Sequence, residues 1–146
     1  MEITIGNSPE LIKKAQAIRY QVFMIEQQIP PELEIDGFDE TSAHALVTER
    51  STAIATARLA IKDDGSSVLA RVAVVEEYRG RGIASKMVNS LMDYAKKAGV
   101  TSIKIHAHGY LQNYYEKFGF EFVQEVEIVG AHQLIEMQHQ IARTNI

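Results

Sequence analysis

YRGRGIASK, Tyr78 to Lys86, joins an apolar run, VLARVAVV, to a run with helical spacing, MVNSLMDYAKKAG. Two glycines one residue apart let a chain turn tightly and present successive N–H groups, and a helix opening at that point adds the positive end of its dipole. Such a seam binds anions. Spacing separates the phosphate-binding arrangements it could belong to. A P-loop needs four residues between its first glycine and Gly-Lys-Ser/Thr, whereas Gly80 and Gly82 are one apart and Lys86 follows Ser85. A dinucleotide fingerprint wants a third glycine where Ser85 stands and an acid about 20 residues later to hold a ribose. The strand from Ser102 to Ala107 has no acid. What fits is a strand, then Arg-Gly-Xaa-Gly-Xaa-Ala, then a helix, with a pyrophosphate as the bound anion and no dinucleotide ribose readout.

The bulk of the chain narrows the classes of function. With 146 residues, 46% of them hydrophobic and 23% charged, it suits one globular domain, 1–146, able to bury a core. The net charge of −4 argues against a general nucleic-acid surface, so Arg79 and Arg81 form a local basic spot on an acidic protein. There is no cysteine, hence no disulfide and no cysteine nucleophile. The N-terminus, MEITIGNSPE, lacks the basic and apolar regions of a secretory signal, and no run approaches the ~20 apolar residues of a membrane span. A cytoplasmic protein without membrane partners is the expectation; monomer and homodimer both remain open.

Along the chain, Met1 to Gly6 alternates as a strand. Ser8-Pro9 offers an N-cap and a first-turn proline, and the spacing of Leu11, Ile12, Ala15, Ile18, Val22 and Phe23 predicts an amphipathic helix from Pro9 to about Gln27, broken once near its end. Pro30-Pro31 closes it, and PELEIDGFDE reads as an acidic loop. Strands follow at Ala43–Glu49 and Thr52–Lys62 about a tight turn at Arg50-Ser51. Asp64-Gly65 predicts a type I′ turn into a strand from Ser67 to Val75. Beyond the seam, Ile83, Ala84, Met87, Val88, Leu91, Met92 and Ala95 mark one helix face, with Gly99 as its C′ residue. The next strand, TSIKIHA, is separated from Val75 by that helix and is expected to run parallel to the earlier strand in a right-handed crossover. A short helix from Tyr110 to Phe118, stopped at Gly119, and two strands around Gly130 complete the chain.

Taken together, RVAVVEEYRGRGIASKMVNSLMDYA and the later YYEKFGFE resemble the GCN5-related N-acetyltransferases, whose pattern at the start of the third helix is Arg/Gln-Xaa-Xaa-Gly-Xaa-Gly/Ala. Arg79, Gly82 and Ala84 match it position for position. RYQVFMIEQQIP, EIDGFDETSAH, TARL and GAHQLIEM are similar to the small bacterial branch of ElaA- and YjcF-like proteins, so the resemblance spans nearly the whole chain. It implies an α/β fold with a mixed, mostly antiparallel sheet of about seven strands, helices on both faces, and a gap where strands four and five run parallel and splay apart. It also implies acetyl-CoA, with the pyrophosphate on the N–H groups of Gly80, Arg81, Gly82, Ile83, Ala84 and Ser85, and the pantetheine arm against Val72, Ala73 and Val74.

Acetyl transfer to an amine passes through a tetrahedral intermediate, so a site needs an N–H donor for the oxyanion, a neutral amine, and a proton source for the departing thiolate. By resemblance the donor is the N–H near Val74 and the acid is Tyr115, the family's tyrosine before Glu-Lys-Xaa-Gly-Phe. A thiol near ~8.5 against a phenol near ~10 allows the phenol to donate late in bond cleavage. The absence of cysteine favours direct transfer in a ternary complex. Two positions depart from the family. His108 stands where many relatives place an asparagine seven residues before the tyrosine, and is read as a cofactor contact; Ile103 stands where some place a glutamate base. The base is therefore open among Glu26, Asp36, His106 and His132. Arg19, Asp36, His106 and His132 are the candidate substrate contacts, with His44 a weaker one. Arg19, Arg58 and Arg71 fit either surface ion pairs or contacts to a substrate carboxylate. The acidic loop reads as solvated surface or as a rim steering a cationic amine. Two imidazoles on one strand face, His106 and His108, are too few ligands for a metal site, and none is expected. The acceptor expected is a small-molecule amine; a protein amine, or a non-catalytic acyl-CoA-binding protein, are the alternatives.

Overall fold

The computed structural model describes residues 1–141. Its strands are β1 (Glu2–Gly6), β2 (Ala43–Glu49), β3 (Thr52–Ile61), β4 (Ser66–Val74), β5 (Ser102–His108), β6 (Glu121–Val129) and β7 (His132–Gln140). Its α-helices are α1 (Pro9–Arg19), α2 (Pro31–Glu34), α3 (Ile83–Lys97) and α4 (Gln112–Glu116). The strands form one sheet in the order β1-β2-β3-β4-β5-β7-β6. Every neighbouring pair is antiparallel except β4 and β5, which run parallel and pair only from Ser66–Val68 to Ser102–Lys104. Beyond Val68 and Lys104 the ladder stops although both strands continue. This is the split sheet expected from the sequence.

The local chemistry explains the elements. Ser8 caps α1 by accepting from the Leu11 N–H at 3.2 Å, with Pro9 in the first turn. The C-terminal end of α3 is a Schellman closure: Val100 N–H donates to Ala95 C=O at 3.0 Å and Gly99 N–H to Lys96 C=O at 3.3 Å. Its buried face carries Ile83, Met87, Val88, Leu91 and Ala95, the stripe read from the sequence. In β2 the residues from Ala43 to Val47 are all buried, and in β3 those from Ile54 to Leu59, so both sheet faces are covered there; α1 and α3 each contact both strands. None of the helices among the described residues is long and apolar enough to cross a membrane.

Three expectations are corrected. The first helix has the single break expected, but it falls at Tyr20 and is a change of winding: from Tyr20 to Glu26 the chain takes the wider π-helical form, and Gln27 N–H returns to Val22 C=O. The turn at Asp64-Gly65 is not type I′, which needs two successive positive φ angles. Only Gly65 has one (+90°); its N–H donates to Lys62 C=O at 3.1 Å, and Lys62 N–H donates to Ser66 C=O at 2.8 Å, a type I turn followed by a glycine bulge. Asp64 instead accepts from the Ser66 N–H at 2.9 Å, which fixes the turn from its side chain. Finally, the acidic segment is not wholly a solvated loop, although Glu32, Asp36 and Glu40 are exposed. It contains α2, and its Glu34 is buried.

Candidate active site

The glycine seam is shaped for an anion. Gly80 and Gly82 sit at φ +78° and +75°, a region that costs an L-residue about 1–2 kcal/mol, and a Cβ at either would meet nothing within 4 Å, so both face open space. Gly82 is the N-cap of α3, has no side chain to cap it, and is followed by a first turn without an acid. The first main-chain bond of the helix is Lys86 N–H to Gly82 C=O at 3.2 Å, leaving the N–H groups of Ile83, Ala84 and Ser85 free for a ligand. Glycine freedom, the helix dipole and bare donors coincide, and these residues fit a diphosphate. Gly82→Val should weaken coenzyme A binding at least tenfold in calorimetry, because a β-branched residue cannot hold the left-handed turn that aims these groups.

The seam is joined to the split in the sheet by two tethers. Arg79 donates from Nε to Val74 C=O at 2.8 Å and from Nη2 to Glu26 Oε2 at 2.7 Å. The Ser85 and Tyr114 hydroxyls lie 2.8 Å apart, which holds α4 against the first turn of α3. Tyr114 therefore has more than a packing part. Val75 N–H donates to Ile54 C=O at 2.9 Å, toward β3, so strand alternation turns the Val74 N–H the other way, into the split.

Where β4 and β5 part there is a cavity of about 630 Å³, walled by β4 from Val68 to Val72, by β5 from Lys104 to His108, and by Phe23, Asp36, Tyr110 and Tyr115 among others. Tyr115 is buried, makes edge-to-face contacts with Tyr114 and Phe120, and has no hydrogen bond from its hydroxyl to any described residue. Burial, reinforced by neighbouring Tyr114, pushes its phenol up to about 12. The group keeps its proton throughout the neutral range, as an acid requires.

The residues around the other end of the cavity form a closed ring of charge. Arg19 pairs with Glu34 and Asp39, Arg58 with Asp39 and Asp36, and Arg71 with Asp36 and Glu34. Every acid meets two guanidinium groups and every guanidinium two acids. This corrects two readings. Glu34, Asp36 and Asp39 do not form a negative rim that would steer a cation, because their charge is spent inside the ring; Glu32 and Glu40 are exposed and stand outside it. Nor does Arg19 reach a substrate in this cavity: it is 1% exposed and not on the cavity wall, because its guanidinium is enclosed between α1 and the 34–39 segment. Buried His44 supports the ring, its Nε2 donating to Asp39 C=O at 2.8 Å, and this structural bond is why it offers nothing to a substrate.

The ring makes stability depend on pH. Burial, with Arg19 and Arg58 adjacent, holds His44 below its ordinary value; its contribution is complete above about 6.5 and is lost as pH falls from there. Asp36 is lowered mainly by its bond to Arg58, and Asp39, despite a burial cost, by bonds from Arg19, Gln16 and Arg58. Their share is present above the unfolded value near 4 and disappears as the solution becomes more acid. Urea unfolding should therefore give a stability that declines in two stages, first below about pH 6.5 and then below about pH 4.

The remaining candidates divide. Glu26 lies at the seam, bound to Arg79, and not on the cavity wall. Asp36 lines the cavity but is shared by Arg58 and Arg71. His106 lines it with its Nε2 3.0 Å from Glu136 Oε1. His108 also lines it, its ring tilted 32° to that of Tyr110 and meeting His132 edge to face at 4.8 Å between ring centroids; His132 itself is exposed at the β6–β7 turn. Sequence reasoning missed the β4 bulge: Arg71 and Val72 stand opposite Ala57, and Arg71 takes φ +57°, rare for a non-glycine residue. No glycine or asparagine marks it.

The model of the acetyltransferase (GNAT) family matches residues 11–120. The chain belongs to that family. Among GNAT relatives, Escherichia coli ElaA is 32% identical over 114 residues, covering 75% of this chain and 74% of its own. The Bacillus subtilis protein described as the uncharacterized N-acetyltransferase YjcF is 28% identical, covering 90% and 93%. The ElaA crystal structure superposes with a TM-score of 0.85 at 27% identity, covering 95% of this chain and 99% of that one. A Lactobacillus plantarum structure gives 0.87 at 25% identity, covering 97% and 98%. The GNAT fold, with β4 and β5 parallel and splayed, is thus the one the resemblance implies.

Proposed function

We propose that the protein is an acetyl-CoA-dependent N-acetyltransferase that passes the acetyl group directly to a primary amine of a small molecule in a ternary complex. The observation that supports this reading is the Ser85–Tyr114 tether, which holds α4, with the protonated Tyr115, against the first turn of α3, whose N–H groups fit a diphosphate. Bound acetyl-CoA supplies an activated thioester. The chain's part is to grip the diphosphate with the N–H groups of Gly80 to Ser85 and to align the pantetheine arm along Val72 to Val74. The Val74 N–H then donates to the carbonyl oxygen as negative charge grows there. Tyr115 gives its proton to the departing sulfur and regains one from the nitrogen, which must lose a proton in forming the amide, so the exchange closes without net change in the enzyme.

His106 is the base in this reading. Its Nε2–H donates to Glu136, which leaves Nδ1 as the acceptor for the proton of the incoming ammonium, directly or through water, and that proton is then released to solvent. Glu26 and Asp36 are less suited, since each is held by arginine. His106→Asn should lower kcat/KM by about a hundredfold while coenzyme A still binds. To test the activity itself, free thiol would be followed with acetyl-CoA and a broad panel of primary amines. Amine-dependent release with a matching N-acetyl product in mass spectrometry is expected; no thiol release with any amine, alongside tight coenzyme A binding, would favour a non-catalytic acyl-CoA sensor.

A further inference from the structure

In the ring of six charges, the three arginines are not equally committed. Arg58 spends both terminal nitrogens on Asp36 and Asp39, and its Nε is sealed from solvent. Arg19 spends Nε and Nη1 on Glu34 and Asp39, and its Nη2 is sealed. Arg71 differs. Its Nη2 reaches Glu34 C=O at 3.1 Å and Asp36 Oδ2 at 3.2 Å, and its Nε is buried 3.6 Å from Glu34. Its Nη1 bonds to no described residue and is not among the sealed atoms, and Arg71 is on the wall of the cavity. The left-handed backbone of the β4 bulge is what takes this side chain out of the regular alternation of the strand. Lys104, on the facing strand at the fork, also lines the cavity and has no ion pair among the described residues. On the same walls Glu34 and Asp36 are each engaged by two arginines, and Glu136, behind the wall, is taken by His106.

We infer that the acceptor carries a carboxylate as well as its amine, and that the free Nη1 of Arg71, with Lys104 across the fork, receives that carboxylate. The inference rests on the acetyltransferase reading above and names its substrate class. A cationic acceptor would find no uncommitted carboxylate on these walls, whereas an anionic one finds an uncommitted guanidinium edge, the side chain best suited to a planar carboxylate.

The test compares acceptors that differ in the carboxylate alone: 4-(aminomethyl)benzoate against benzylamine, and 6-aminohexanoate against hexylamine. The wild type should favour the carboxylate member by about tenfold or more in kcat/KM in at least one pair, the effect of one charge-assisted hydrogen bond. In Arg71→Gln that ratio should fall to within about threefold of unity, whatever happens to the absolute rates. Equal use of both members by the wild type, or a ratio that persists in Arg71→Gln, would overturn the inference. Should that variant not fold, 4-methylbenzoate decides in the wild type: competitive inhibition against the amine supports the inference, and no inhibition refutes it. If no amine at all is acetylated, the activity reading fails by itself. Calorimetric titration of 4-(aminomethyl)benzoate and benzylamine into the coenzyme A complex then decides the carboxylate question separately.

Discussion

Tyr115→Phe should lower kcat by about a hundredfold or more, the usual contribution of a positioned proton donor, while the KM for acetyl-CoA stays within about threefold. The ring is buried and packed on Tyr114 and Phe120, so phenylalanine keeps the contacts and deletes the hydroxyl alone. The hydroxyl bonds to no described residue, and its removal leaves no new unpaired group. Thermal unfolding should therefore stay close to wild type, separating a chemical defect from a folding defect. The raised phenol also fixes the sign of the alkaline behaviour. With a folded value of about 12 against an ordinary 10, any stability from burying the neutral phenol is intact below pH 10 and is lost between 10 and 12. Up to pH 10, then, the wild-type rate should show no alkaline loss through this residue. A Tyr115→Phe enzyme with unchanged kcat would remove the residue from the chemistry.

Arg19→Met is expected to cost about 3–5 kcal/mol in urea unfolding, a large share of a typical domain's stability. The side chain is 1% exposed, and its loss leaves Glu34 and Asp39 each with one guanidinium where there were two. Methionine fills much of the volume, so the effect is electrostatic rather than that of a cavity. A surface pair provides the contrast. Lys14→Met, which removes the exposed partner of Glu10, should change stability by less than about 0.5 kcal/mol. Similar small effects from both substitutions would mean that the ring does not hold the 34–39 segment to α1.

What the sequence disclosed and what it hid follow from the range of the interactions. Ser8-Pro9, the glycines of the seam, the stripe on α3 and Gly99 act over a few residues, and each sits in the role its local chemistry predicts. The parallel β4–β5 pair was legible because a full helix must lie between its members. The charge ring was not legible. Its partners are 15 to 37 residues apart, and nothing in PELEIDGFDE distinguishes acids that face water from acids enclosed by arginines on α1, β3 and β4. The π-helical winding at Tyr20 was hidden for a related reason: the apolar spacing of Ile18, Val22 and Phe23 suits either winding. Tyr115 is a different case. Its place on a helix and its burial could be read from the pattern around Phe118 and Phe120, but its proximity to the seam comes from Tyr114 meeting Ser85 across 29 residues.

The central claim is that one split in the sheet is entered from the glycine seam, where backbone N–H groups hold a diphosphate. Amide-resolved NMR during titration with coenzyme A tests it most directly. The largest shifts should fall on Gly80 to Ser85 and on Val72 to Val74, with smaller ones at α4. Shifts concentrated on any other part of the surface, or none at saturating coenzyme A, would contradict it.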